Sequence, residues 1–245
     1  MKTKNRVGWL LTLTLLVAAC GGTEGSVSST VAPAGTTATE PPATTSPSPS
    51  TTTESDEPTV IRPWGYDPVA RNVEFSVIVP EGWDTQDGFI ATGDVDDGTH
   101  MRLGGGMVGN LFADRCQWSD TTFDPGPTVE DLTTGFATIW GSDATTAIEV
   151  MVDGFEGKYM VLTVPADVNF SECDEKHFAG WAEAGVSDSF GPSRWYQGPG
   201  QILKHWILDV NGVRLVIEAS HFPQQSSEGL TELDRMVDSI QIVTG

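Results

Sequence analysis

The sequence predicts an α+β domain in which an antiparallel β-sheet is flanked by helices, and three patterns carry that prediction. Asp153-Gly154 and Asn211-Gly212 are the dipeptides that close two-residue hairpins, and each stands between alternating apolar segments. Residues 72–79 alternate, with Val73, Phe75, Val77 and Val79 on one face, as a half-buried strand does. Two later segments repeat apolar residues at i, i+3, i+7 and i+10, the stripe of an amphipathic helix.

The first residues read as an export leader. Lys2, Lys4 and Arg6 precede an uncharged run over residues 7–19, thirteen in all, where a membrane-spanning helix needs about 20. Val17-Ala18-Ala19-Cys20 resembles a bacterial lipobox. The resemblance implies that residues 1–19 are removed and that Cys20 is lipidated, with a diacylglycerol on sulfur and a further acyl chain such as palmitate. Each buried CH₂ of such chains contributes about 0.8 kcal/mol, and two chains anchor firmly. Cleavage without lipidation is the alternative, since Val17 and Ala19 also suit an ordinary signal peptidase. The expected location is the extracytoplasmic face of the cell membrane.

Residues 20–61 read as a stalk. Between residues 21 and 58 stand ten Thr, seven Ser and six Pro, without an aromatic or basic residue. Such a segment buries too little apolar surface to offset its ordering entropy. As a coil it would span about 35 Å, and Pro would extend it. One domain is expected over residues 62–245, 184 residues that suffice for a single core.

Within that domain, the strand over 72–79 ends at Pro80-Glu81-Gly82-Trp83, a turn signal. A short strand over 88–92 follows, then the acidic turn 94–98 and a strand over 101–108. Gly104, Gly105 and Gly106 mark a bulge or close backbone approach in it. Thr128 and Asp131 have capping-box spacing and open a helix to Trp140, with Val129, Leu132, Phe136 and Ile139 as its stripe. The two hairpin turns fix registers. Val210 should face Val213, Trp206 face Ile217, Asp209 face Arg214 and His205 face Glu218. Val152 should face Phe155, Ile148 face Tyr159 and Glu149 face Lys158. Residues 171–184 are expected to hold a short helix carrying Phe178 and Trp181, and residues 188–201 a loop. Ser226 or Ser227 caps a last helix whose stripe is Leu230, Leu233, Val237 and Ile240.

The segments FSVIVPEGW (75–83) and VDSIQIV (237–243), with antiparallel strands between them, resemble the PsbP-like domain. The whole chain resembles actinobacterial cell-envelope lipoproteins carrying such domains, the LpqN type among them. The resemblance implies a PsbP-like α-β sandwich and a binding or accessory role without catalysis, and it brings no catalytic residues.

Charge and cysteines narrow the chemistry. Lys and Arg number 13 against 34 Asp and Glu, a net charge of −21, and loss of the leader's three basic residues takes it to −24. That field repels nucleic acid and anionic headgroups. With Cys20 lipidated, Cys116 and Cys173 remain as an even pair in an oxidising compartment and are expected to form a disulfide. Cys173 and His177 have a C-x₃-H spacing, but the second ligand pair of a zinc site is missing. No nucleophile elbow, zinc-protease, Walker or dinucleotide motif occurs, so no cofactor and no metal are expected. The turn Asp94-Val95-Asp96-Asp97-Gly98 departs from an EF-hand in its glycine position, leaving a looser calcium loop or a plain acidic turn.

His205 opposite Glu218 reads as a solvent-facing ion pair, with a pH switch as the sharper alternative. Trp195 and Tyr196 lie in a Gly/Pro-rich stretch. They either stack on a cell-wall glycan, lipid or partner protein, or fold back into a small cluster. The expected function is a membrane-anchored binding or accessory module. The alternative is a hydrolase of envelope polymers using an Asp/Glu pair, for which a deep pocket with a desolvated carboxylate would speak.

Overall fold

Asn211 and Asp153 adopt positive φ, at 54° and 47°, and Gly212 and Gly154 follow at 86° and 85°, the backbone of type I′ turns. These two turns generate most of the principal sheet. The computed structural model describes residues 57–65, 73–185 and 191–244. Residues 1–56, which hold the expected leader, Cys20 and most of the expected stalk, lie outside the described residues, as do Tyr66 and Asn72.

In chain order the first strands are β1 (Thr59–Ile61), β2 (Val73–Val77), β3 (Asp84–Gln86), β4 (Phe89–Thr92), β5 (Met101–Gly106), β6 (Val108–Phe112) and β7 (Thr122–Phe123). Helix α1 (Val129–Trp140) follows, then β8 (Ile148–Val152), β9 (Phe155–Thr163), β10 (Phe178–Ala179), β11 (Trp181–Glu183) and β12 (Trp195–Tyr196). The chain closes with β13 (Ile202–Val210), β14 (Val213–His221), α2 (Ser227–Asp238) and β15 (Gln241–Thr244). The class is α+β, mostly antiparallel strands with two short helices.

Seven strands form one antiparallel sheet in the order β3-β4-β5-β14-β13-β9-β8. Both hairpins have the expected registers: Val210 faces Val213 and His205 faces Glu218, while Val152 faces Phe155 and Glu149 faces Lys158. Lys158 Nζ lies 2.6 Å from Glu149 Oε1. Asp209 and Arg214 are cross-strand neighbours but turn apart. Asp209 accepts from the Gly212 N–H at 2.6 Å, and Arg214 donates to the carbonyls of Gly126, Thr128 and Val108.

Both faces of this sheet are covered. On one, Leu208, Val210, Leu215 and Ile217 pack with Phe75 and Val77 of β2 and with Leu233 and Met236 of α2. On the other, Leu203, Ile207 and Val216 pack with Leu132, Phe136 and Trp140 of α1 and with Phe178, Trp181 and Tyr196. Thr128 caps α1 through a full capping box with Asp131, and Ser226 caps α2 by accepting from the Gly229 N–H.

Four expectations are corrected. The stalk boundary drawn at residue 61 is too late, because Thr59–Ile61 pairs with β2. The segment 171–184 is not a helix. Two 3₁₀ turns, Phe170–Glu172 and Asp174–Lys176, lead into β10 and β11, and Glu175 and Lys176 have φ of 51° and 63°. The last helix stops at Asp238, and Gln241–Thr244 returns as a strand beside β2. The stretch expected as loop holds β12, which pairs with β10.

The three glycines of β5 receive side chains on alternate faces, as the pleat requires. A Cβ at Gly105 would stand 2.7 Å from the Phe75 ring, and one at Gly106 2.1 Å from the Trp181 ring. Gly106 is held by pairing to Val216 and bridging to Trp64, so neither partner can withdraw. Gly106→Ala should therefore destabilise the domain by about 1–3 kcal/mol or more through overpacking, read as a lowered midpoint of urea unfolding.

Candidate functional site

β14 occupies the middle of the seven-stranded sheet, and its residues at 214, 216 and 218 face α1. Glu218 on that face is 3% exposed. Arg102 of β5 donates to its Oε1 from Nη1 at 2.9 Å. Arg194 donates to the same oxygen from Nε at 2.9 Å and Nη2 at 2.6 Å. His205 Nε2 lies 3.0 Å from Oε2. Nδ1 of His205 has no hydrogen-bond partner among the described residues. The His205–Glu218 pair is thus not solvent-facing, as its place in the hairpin implied. His205 is fully buried, against the Phe136 ring of α1 at 5.0 Å.

Burial by itself would raise the Glu218 carboxyl. The charge of Arg194, the His205 hydrogen bond and the charge of Arg102 outweigh it, and the pKa is held below the usual carboxylate range. Burial and the nearby Arg194 push Arg102 down to about 9, against the pull of Glu218. It remains charged at neutral pH. The cluster therefore contains ionised groups largely withdrawn from water, each dependent on the others.

Two of these residues reach a cavity of about 210 Å³, bordered by Trp64, Phe89, His100, Arg102, Ser193, Arg194, Trp195 and Gln197. The Arg102 guanidinium lies 4.7 Å from the Trp64 ring centroid and 4.6 Å from that of Phe89, and the two rings meet edge to face at 5.3 Å. Trp64 is fixed by its Nε1 hydrogen bond to the Asp87 carbonyl at 2.8 Å. It also needs Gly88, where a Cβ would stand 2.1 Å from that nitrogen. His100 is held below its ordinary pKa by burial and by the charges of Arg102 and Arg194, with Asp94 opposing them.

The aromatic pair singled out in the sequence divides. Trp195 is half-buried and borders the cavity, wedged between Trp118 at 5.5 Å and His177 at 4.5 Å. Tyr196 faces the other way and is 3% exposed, so it is a core ring and not an exposed one. Burial and the Glu218 charge raise its hydroxyl pKa, against Arg194, Arg115 and Arg102.

Cys116 and Cys173 form a disulfide across a separation of 57 residues, which adds about 4 kcal/mol in the chain-entropy account. Its sulfur thus engaged, Cys173 does not pair with His177 at a metal. In the acidic turn, Asp94 accepts from the Asp96 N–H at 2.8 Å and Asp97 from the Thr99 N–H at 2.8 Å. These carboxylates hold the turn closed. Among the described residues no group of three His, Cys, Asp or Glu side chains is placed to hold a metal ion.

A larger groove of about 400 Å³ lies at the start of α1, bordered by Glu130, Glu149, Glu156, Asp209, Lys158 and Arg214 among others. Its carboxylates are solvated: Glu130 and Glu149 are 70% and 79% exposed, and both engage Lys158. Among the described residues the one deeply buried carboxylate is Glu218, which is kept ionised and cannot serve as a general acid near neutral pH. Arg102 and Arg194 were not singled out in the sequence. Arg102 had a signal, being the one charge in an otherwise apolar and glycine strand, MRLGGG.

The chain matches no known family model and no curated protein.

Removing the Glu218 charge leaves two buried arginines without a counterion, and Glu218→Gln should cost about 3–5 kcal/mol at pH 7. Because the folded pKa lies below the unfolded one, the contribution is complete above about pH 4.3 and is lost as pH falls toward the folded value. Urea midpoints of wild type and variant measured from pH 7 to pH 3 should therefore converge on acidification.

Proposed function

We propose that the chain is a lipid-anchored protein of the extracytoplasmic membrane face, with a PsbP-like domain of the LpqN type acting as a binding or accessory module. The observation that carries this reading is the cavity walled by Trp64, Phe89 and Trp195. Aromatic faces beside fixed polar groups are what a small-molecule or glycan site uses. Trp195 is half-buried, so its ring is positioned in advance and little freedom is lost on binding. Lipidation of Cys20 rests on the lipobox resemblance. The antiparallel sheet packed with helices accords with a PsbP-like sandwich without singling it out.

The hydrolase alternative would rest on the groove at the start of α1. Its carboxylates are exposed and share Lys158, which lacks the desolvation that separates an acid from a base.

Two measurements test the reading. Cells fed an alkyne-tagged palmitate should label the full chain, and Cys20→Ala should lose both the label and membrane retention. The full chain should capture a ligand from envelope extract, and Trp195→Ala should weaken that capture by about 2 kcal/mol, roughly 30-fold. Glu149→Gln should leave it intact. Loss with Glu149→Gln but not with Trp195→Ala would move the site to the groove.

A further inference from the structure

Arg102 and Arg194 share one carboxylate. Two guanidinium charges therefore face one carboxylate charge, and no other acidic side chain among the described residues forms a salt bridge to either arginine. A surplus charge away from water is unfavourable unless something compensates it. A purely structural ion triad would have no need of it, since apolar residues can fill such a space as well.

The two arginines are not equivalent. Arg194 is fully engaged, with Nε and Nη2 on Glu218 and Nη1 on the Trp195 carbonyl. Arg102 has one hydrogen bond among the described residues, through Nη1. The rest of its guanidinium, a planar fork of donors, lies between two aromatic rings beside the cavity. Gly104 makes room for it: a Cβ there would stand 2.9 Å from Nη2. His100 borders the same space, with Arg102, Arg194 and Asp94 as the charges acting on it.

We propose that this cavity is an anion subsite, in which Arg102 donates to a carboxylate or phosphate group of the ligand while Trp64, Phe89 and Trp195 flank the ligand's apolar or sugar body. The arrangement matches anion to guanidinium in a space of low dielectric, where charge-assisted hydrogen bonds are strong. It also explains why Arg194 is buried beside Arg102 instead of in solvent, for its charge adds to the pull on the anion. The inference rests on the reading of the domain as a binding module and names the chemistry of what it binds.

The test uses the detergent-solubilised full chain, titrated with sodium phosphate and with sodium benzoate against sodium chloride at equal ionic strength. Tryptophan fluorescence and the NMR titration of the His100 imidazole are read together. A saturable fluorescence change is expected for at least one anion, and the His100 midpoint should rise, because a bound anion offsets the arginine charges. Response to phosphate alone assigns a phosphorylated ligand, and response to benzoate alone a carboxylate. Arg102→Met should weaken binding by about tenfold or more; should that variant not fold, the His100 shift in the wild type carries the test. Absence of both changes overturns the subsite, as does a fluorescence change that leaves His100 unmoved. An envelope ligand that depends on Trp195 but competes with neither anion overturns the subsite and leaves the module reading standing. Anion binding without any Trp195-dependent ligand overturns the module reading alone.

Discussion

The carboxylate of Glu218 joins three parts of the chain that share no sequence neighbourhood: Arg102 of β5, His205 of β13 and Arg194 before β12. All four side chains are nearly or wholly buried. In that setting an ionised group cannot simply be left unpaired, so each partner is held where the others need it. The consequence reaches beyond the cluster. Arg194 is drawn onto the sheet, and its backbone N–H and carbonyl are taken by Trp181 and Gly180 at 3.1 and 2.7 Å. Ser193 and Arg194 are thereby fixed against β11, and Trp195 is placed at the cavity.

Glycine supplies the matching space. Trp64 lies against Gly88, Phe89 and Arg102 against Gly104, Phe75 against Gly105 and Trp181 against Gly106. Large planar groups gain their burial by approaching a backbone with no Cβ, and that gain outweighs the weak strand propensity of glycine. The same device serves both faces of one strand, so β5 ties the small sheet of β1, β2 and β15 to the main one while it seats the cavity's aromatic wall.

What the sequence made legible was local. Both hairpin registers, the capping box at Thr128 and the apolar stripes of α1 and α2 follow from residues close together in the chain. The surroundings of those elements did not. His205 opposite Glu218 is a cross-strand fact, but that α1 with Phe178, Trp181 and Tyr196 covers the pair depends on contacts made far along the chain. Phe178 and Trp181 have helical spacing, yet Cys173 is tethered to Cys116 and the backbone turns to positive φ at Glu175 and Lys176. Tertiary constraint overrode the periodic pattern there. Val237 and Ile240 likewise continue a helical stripe, while Ser239 caps α2 and releases the chain into β15, whose pairing with β2 no local signal announces. The cavity was half legible: Trp195 stood out as an aromatic in a polar stretch, whereas Trp64 and Phe89 became its neighbours only through the sheet.

The disulfide bears on the cavity as well as on stability. It holds the turn at Asp174 against the segment after β6, where the Asp174 N–H donates to the Cys116 carbonyl at 2.8 Å. The Asp174 carbonyl in turn accepts from Trp118 Nε1 at 3.1 Å, and its side chain accepts from the Ser119 N–H at 2.8 Å. Trp118 thus fixed supports one side of Trp195, and His177, just past the same turn, supports the other. One covalent bond therefore braces the aromatic wall from both sides. Such a bond persists in an oxidising compartment, which accords with the export proposed from residues 1–20. The Trp195 ring is thus held in place from both sides, with the guanidinium groups of Arg102 and Arg194 at the same cavity.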